Sequence, residues 1–365
     1  MKHMTFAIVA MFGASLCVAQ TNDWENLSVN SINREPPRTY SMPLADEAAA
    51  FTDAIEPDTP YKVSLNGTWR ISWAGNPDLR VRDFYRTDFS DADWLTIDVP
   101  SCVELRGFGS PGYVNVKYPH KMEWPFIRDR QSGAADYNPV SSYRRTFAVP
   151  ESWRGREVFL RFDGVYSAYY VWVNGEKVGY AEDSKLPSEF NITKFLRPGD
   201  NLLAVEVYRW CDGSYLEDQD MTRYSGIFRD VTLWSMPKGG IWDFKVNAKC
   251  KIENGECKEA SLSVDGIDGE WTATLYDADK NPVARLSCNQ TIKQSNNNGS
   301  PSLVCREAVS LYARREEGRR HPHAQGRLQG GEGRRQHDSP QWKKGQVQGR
   351  QPPRDESRQW AHGLA

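Results

Sequence analysis

The sequence predicts an all-β protein, and three observations carry that prediction. From Trp24 to about Pro237 short runs alternate apolar and polar residues, as in Glu157-Val158-Phe159-Leu160-Arg161-Phe162 and Tyr170-Val171-Trp172-Val173, which is the period of a half-buried strand. Turn signals at Asn66-Gly67, Asn174-Gly175 and Pro198-Gly199-Asp200 separate such runs, because these residues reach the backbone conformations that reverse a chain at little steric cost. No stretch sustains the long 3.6-residue period of an amphipathic helix, so the strands can bury their apolar sides only as a two-sheet sandwich.

The chain begins with a basic residue at Lys2, an apolar run from Phe6 to Val18, and Cys-Val-Ala before Gln20. That is the layout of a cleaved secretory signal over residues 1–20, and the run is short for a membrane-spanning helix. A lipid anchor at Cys17 competes with it, but bulky Leu16 occupies a position where such a signal needs a small residue. Export as a soluble periplasmic or extracellular protein is expected. A formal charge of −2 over 365 residues implies no nucleic acid and no anionic membrane surface as partner. Thirteen Trp and sixteen Tyr suit the stacking of pyranose rings, although sandwich cores also consume aromatics.

Within the first region the strongest local signal is Asn174-Gly175 between Val171-Trp172-Val173 and Lys177-Val178-Gly179, the pattern of a two-residue hairpin. The run from Arg209 to Asp230 stands apart. It places Asp212, Glu217, Asp218 and Asp220 between an alternating strand at Leu203 to Tyr208 and another at Ile227 to Trp234. It therefore reads as a long acidic loop held on a β-scaffold, either a solvated turn or a binding site.

Taken with its surroundings, this loop resembles the signature loop of the β-galactosidases of glycoside hydrolase family 2. The other landmarks occur in the family's order: Trp24-Glu25-Asn26, Asn33-Arg34-Glu35-Pro36, Leu65-Asn66-Gly67-Thr68-Trp69, Asp98-Val99-Pro100-Ser101, Tyr113-Val114-Asn115-Val116-Lys117-Tyr118-Pro119 and Tyr143-Arg144-Arg145-Thr146-Phe147. The resemblance implies a sugar-binding jelly-roll sandwich over residues 21–238, whose loops lean into an active site completed by a later (β/α)8 barrel. It also implies that Asn115 contacts substrate and that Asp212 binds galactose hydroxyls and a sodium ion, roles suited to a carboxylate that accepts from vicinal hydroxyls. Without the motif, Asn115 reads as a turn or edge residue, and Asp212-Gly213 is itself a turn signal. For the full-length family the resemblance implies sodium and magnesium, a retaining β-galactosidase activity on β-galactosides, and frequent homo-oligomers.

From Gly239 to about Leu303 strands resume at Trp242-Asp243-Phe244-Lys245-Val246, Ala260-Ser261-Leu262-Ser263-Val264 and Trp271-Thr272-Ala273-Thr274-Leu275-Tyr276-Asp277. This resembles the immunoglobulin-like domain that follows in the family, and it is expected to be partial, with about four strands where such a sandwich needs about seven. Of the seven Cys, six lie beyond the signal, in a compartment that permits disulfides. Cys250 and Cys257 flank Asn254-Gly255, but a two-residue hairpin there would pair Cys250 with Glu259 and Cys257 with Ile252, a register that argues against a bridge between the two cysteines.

After about Leu303 the composition shifts to Arg, Gln, Gly, His and Pro, with no Ile, Phe, Thr or Asn between Arg306 and Ala365. No apolar period survives, so residues 304–365 are expected to be a disordered tail. A basic interaction arm is one reading of it, and a shifted reading frame is the better one. If the last two bases of each codon are joined to the first base of the next, Gln341 to Gln348 admits Asn-Gly-Lys-Lys-Val-Lys-Phe-Lys. Gly349 to Ser357 admits Gly-Val-Asn-Arg-His-Glu-Met-Asn-Pro, Trp360 is forced to Gly, and Leu303 to Ala313 admits Trp-Ser-Ala-Glu-Lys-Pro-Tyr-Leu-Tyr-Thr-Leu. These strings resemble the family's entry into its catalytic barrel, so the frame is expected to slip between about Arg285 and Leu303.

Retaining glycosidases need two carboxylates about 5 Å apart across the scissile bond. In the family both come from the barrel, so no catalytic residue is expected in this chain and Asp212, Glu217, Asp218 and Asp220 are not assigned as that pair. The expected function is that of an N-terminal β-galactosidase fragment, with a non-catalytic carbohydrate-binding module as the alternative.

Overall fold

The computed structural model describes residues 22–51, 58–115, 117–128, 137–217, 219–253, 256–276, 280–287, 291–295, 310–315 and 325–329, all within one compact unit that ends at Gly330. The expected signal and Asp218 lie outside the described residues. The described residues are all-β, with only short 3-10 turns between strands.

A seven-stranded antiparallel sheet runs in the order Ser31–Ile32, Glu176–Ala181, Ala168–Val173, Asp200–Tyr208, Val140–Ala148, Gly67–Ala74 and Leu95–Val99. Facing it is a four-stranded sheet of Ser188–Asn191, Glu157–Phe162, Val231–Met236 and Lys62–Ser64. Between the two lies one apolar core, to which the larger sheet sends Trp69, Ile71, Tyr143, Val171, Val173, Leu203 and Val205, and the smaller sends Leu160, Phe162, Phe190, Val231 and Leu233. The strands thus form the two-sheet sandwich that their alternation predicts.

The expected hairpin is present: Val173 pairs with Glu176, and Asn174 and Gly175 have φ of 53° and 88°. Positive φ at both central positions twists the reversal in the same sense as its strands. Asn66-Gly67 makes a different kind of corner, passing the chain from the smaller sheet to the larger. The Asn66 side chain accepts from the Val231 amide (3.0 Å) and donates to Asp230 (3.0 Å), while the Leu65 carbonyl accepts from the Trp69 indole at 2.8 Å.

Unusually for an antiparallel sheet, the larger one is buried on both faces across Glu176–Ala181, Ala168–Val173 and Asp200–Tyr208, whereas Gly67–Ala74 and Leu95–Val99 keep an exposed outer side. Its outer side carries Ala168, Tyr170, Tyr180 and Tyr208, and the N-terminal segment covers them with Trp24. The outer side of the smaller sheet is covered in the same way, with Met42 and Trp242 against Phe159, Trp234 and Met236. There Arg38 lies over the Trp234 and Trp242 rings and, with Arg161, holds the buried Glu189 carboxylate.

Residues from Lys245 onward build a second sandwich around Phe244, Leu262, Val264, Trp271, Leu275 and Leu286. One sheet is Lys245–Glu253, Glu256–Asp265 and Thr291–Ser295; the other is Pro282–Ser287, Trp271–Tyr276, Ser310–Arg315 and Gln325–Gln329. The sequence led us to expect about four strands in 239–303, and five are found there. Two further strands fall where no ordered element was expected, because the open edge of Trp271–Tyr276 offers backbone partners that Ser310–Arg315 takes up whatever its composition. The rest of 304–365 lies outside the described residues. In the hairpin, Ile252 faces Cys257 as expected, but a bulge after Lys251 sets Cys250 opposite Ala260 rather than Glu259. The two cysteines do not face each other.

Candidate functional site

The site is built where the Asp200–Tyr208 strand ends. Beyond it the chain is fixed on both sides: the Asn138 side-chain amide donates to the Trp210 carbonyl (3.1 Å) and accepts from the Trp210 amide (2.9 Å). A short 3-10 turn, Asp212–Tyr215, follows. The Cys211 amide donates to the Ser214 hydroxyl at 3.0 Å, the Ser214 amide donates back to the Cys211 carbonyl at 2.9 Å, and the Leu216 and Glu217 amides both donate to Gly213 at 3.0 Å. Side-chain and backbone groups thereby satisfy the ends of a turn too short to satisfy itself.

This turn holds the Asp212 carboxylate almost fully buried, at 4% exposure. Its neighbour is Glu182, which follows the Glu176–Ala181 strand and is likewise buried. The ligand atoms of Glu182, Cys211 and Asp212 lie within 4.8 Å of one another, and the two carboxyl groups hydrogen-bond directly. Such a contact needs a proton between the oxygens. Burial pushes Glu182 up to about 8, the Tyr180 hydroxyl bonded to it pulls the other way, and the charge of Asp212 adds to the rise. Asp212 is also raised by burial, an effect opposed by its hydrogen bonds from Glu182 and Gly213. Both carboxyl groups are thus raised by burial, and the contact between them is that of a pair sharing one proton.

Two carboxylates beside a buried thiol are a mixed donor set. The carboxyl oxygens are hard donors of the kind sodium takes. Burial pushes the Cys211 thiol far above its usual range and keeps it neutral, so it is not a ligand for such an ion. Nor do Glu182 and Asp212 suit glycoside cleavage as a pair. Carboxyl groups bonded to each other leave no room for a glycosidic bond between them.

The remaining predicted residues are placed as follows. Glu217 turns inward and accepts from both the amide (3.1 Å) and the hydroxyl (2.5 Å) of Ser184. Asp220 is exposed and accepts from the Tyr113 hydroxyl at 2.5 Å. Asn115 is exposed just past the short strand Gly112–Val114, which pairs with Met221–Arg223 so that Val114 faces Met221. Asn115 and Asp220 thus leave one ribbon at the same end. Among the described residues no hydrogen bond joins Asn115 to Asp212.

Sequence reasoning missed Glu182, Tyr180 and Ser184, and also Glu25. The buried Glu25 accepts from the Ile127 amide (2.9 Å) and Arg128 (2.6 Å), fixing the hairpin of Lys121–Glu123 and Phe126–Arg128 beside the turn. That hairpin is held from the other side by the Tyr215 hydroxyl, which bonds the Phe126 carbonyl at 2.8 Å and accepts from the Glu123 amide at 3.1 Å. Beneath the loop Glu104 accepts from the Ser225 amide (2.8 Å) and hydroxyl (2.6 Å). A cavity of about 270 Å³ lies elsewhere, lined by Thr68, Arg70, Thr96, Arg144, Arg145 and Thr146. Its arginines are engaged by Trp94, Asp91, Leu65 and Asn66, so it has no strong claim on a ligand.

Comparison with known proteins bears on this geometry. Residues 63–237 match the model of the "Glycosyl hydrolases family 2, sugar binding domain". Over 311 residues the chain is 39% identical to a "Beta-galactosidase" of Priestia megaterium, an alignment that covers 80% of this chain and 29% of that protein. The chain thus spans under a third of that relative's length. Among solved structures it is similar to a β-glucuronidase from Ruminococcus gnavus (15% identity, 76% of this chain and 46% of that one, TM-score 0.52). It is also similar to β-glucuronidase 2 of Bacteroides uniformis (20% identity, 73% and 32%, TM-score 0.51). At these identities the two structures speak to the fold alone.

Proposed function

Residues 63–237 of this chain belong to the sugar-binding domain of glycoside hydrolase family 2, and from that premise we propose that the chain is the N-terminal part of an exported β-galactosidase. In this reading Asp212 accepts hydroxyl hydrogen bonds from a terminal galactose and lends an oxygen to a sodium ion, Asn115 contacts the same sugar, and the nucleophile and general acid lie outside the chain. The observation that supports it best is the 39% identity to a β-galactosidase over 311 residues, joined to a buried carboxylate on the loop that carries the resemblance. The Asp212 carboxyl group is held against Glu182 at the end of that loop, where its oxygens are acceptors suited to sugar hydroxyls.

The deciding experiment pairs a titration with an assay. Methyl β-galactoside added to the purified 365-residue chain should bind only in the millimolar range, because contacts on one side of a sugar do not bury the 70–90% of its surface that a completed pocket does. An aryl β-galactoside should not be hydrolysed. Sub-micromolar affinity would support a self-sufficient binding module instead, and turnover free of host enzyme would place the chemistry inside this chain.

A further inference from the structure

We propose that Glu182 is a positioning residue for Asp212, and that a clamp between Ser184 and Glu217 holds Glu182 in place. The inference rests on the reading of Asp212 as a sugar contact and adds the device that aims it.

The backbone brings Glu182 to Asp212 and then has to turn sharply. The Glu182 amide donates to the Asn30 carbonyl at 3.1 Å, and the Glu182 carbonyl accepts from Arg34 at 3.3 Å. The next residue, Asp183, has φ of 84°, a left-handed conformation that side chains other than glycine's disfavour. A turn of this kind persists only where its surroundings hold it. The Leu186 amide closes the turn on the Asp183 carbonyl at 3.2 Å, and the side-chain group that ties it to the acidic loop is the Glu217 carboxylate, which grips the fully buried Ser184 through both amide and hydroxyl. These are bonds to a charged acceptor, the stronger kind.

Glu217 lies on the same loop as Asp212, and the Arg223 guanidinium donates to its carbonyl at 3.0 Å. One end of the loop therefore grips the turn that delivers Glu182, and the other end presents the carboxylate that Glu182 touches. The fit is close: a methyl group placed on Gly213 would lie 3.4 Å from Glu182 Oε2. Were Ser184 released, Asp183 would be free to relax, Glu182 would withdraw, and Asp212 would lose the side chain that packs against it and fixes its rotamer.

The test reads the carboxyl 13C resonance of Asp212 in the full chain without sugar, labelled at aspartate and assigned with Asp212→Asn. Ser184→Ala and Glu217→Gln should shift that resonance as Glu182→Ala does, whereas Glu182→Gln, which keeps a donor on Asp212, should leave the carboxylate's shift near wild type. Glu217→Gln preserves side-chain shape and serves as the milder variant if Ser184→Ala folds poorly. In a methyl β-galactoside titration the two clamp variants and Glu182→Ala should weaken binding about tenfold, the equivalent of one charge-assisted hydrogen bond, and Glu182→Gln with the clamp intact should bind like wild type. An Asp212 resonance unmoved by both clamp variants overturns the proposal. Wild-type affinity in Asp212→Ala would instead overturn the sugar-contact reading, while the sugar-free spectra still decide the clamp.

Discussion

Trp24 lies flat on Tyr208, the ring centroids 4.0 Å apart and the planes 20° from parallel. Tyr208 ends the strand that leads into the Asp212 turn, so this stack ties the N-terminal segment to the root of the candidate site. Trp24 also meets Tyr170 edge-on at 6.4 Å, and together they close the outer face of the larger sheet.

From that stack we predict that Trp24→Ala destabilises the first sandwich by about 3–5 kcal/mol, the usual cost of emptying a large buried aromatic site. Urea unfolding followed by near-ultraviolet circular dichroism measures it. A loss below about 1 kcal/mol would mean that the N-terminal segment rests on the sheet without stabilising it.

Glu189 supports a second prediction. Its carboxylate is shared by Arg38, bidentate at 2.8 and 3.0 Å, and Arg161 at 3.0 Å, all three groups being buried. Glu189→Ala leaves two buried guanidinium groups without their common acceptor, although Asp163 still takes Arg161 at 2.6 Å. The expected loss is about 3–5 kcal/mol, whereas Glu151→Ala at the exposed Arg154 pair should cost less than about 1 kcal/mol. Equal effects would show that the buried triad contributes no more than a surface pair.

How much of this was open to sequence reasoning depends on the range of the interaction. The Asn174-Gly175 hairpin was legible because its cause lies within four residues. So was the acidic loop, because a cluster of carboxylates between two alternating strands needs no partner to be noticed. Glu182 was not legible as the neighbour of Asp212, thirty residues away. It arrives there because Ala181 pairs with Tyr169 and Tyr169 with Val207, which brings the end of one strand beside the end of another. Strand order across a sheet sets that register, and alternation alone does not encode it. Similarly, nothing in the alternation marks Trp24 as the cover of Tyr170 and Tyr208, which lie far from it in sequence.

The raised carboxyl of Glu182 predicts a pH dependence with a definite sign. An unfolded Glu releases its proton near 4.5, but the folded one holds it to about 8. The folded state therefore binds the extra proton across that window, and stability present below about pH 4.5 is lost as pH rises towards 8, by up to 1.36 kcal/mol per pH unit for one proton. Asp212, also raised, works in the same direction. Glu182→Gln should flatten the dependence between pH 5 and pH 8 in urea midpoints, with the difference from wild type cancelling the contribution of carboxylates elsewhere. Parallel curves for the two proteins would show that Glu182 ionises normally in the fold.

The last prediction joins the candidate site to catalysis. If the reading frame does slip between about Arg285 and Leu303, restoring it and reading onward should yield a protein that hydrolyses β-galactosides with retention, while the 365-residue chain should not. Contacts that orient a sugar lower no barrier without a nucleophile and an acid. In the restored protein Asp212→Ala should reduce kcat/KM by about 100-fold or more, since loss of a charged partner to substrate hydroxyls costs about 1.5–3 kcal/mol and withdrawing the proposed sodium ligand adds to it. The split of that loss tells where the contact acts. A fall in kcat means that Asp212 binds the flattened sugar of the transition state more tightly than the ground state, and a rise in KM alone means uniform binding. Resequencing the gene across codons 285–303 is the first step, and an unbroken frame there would remove the basis for the repaired enzyme.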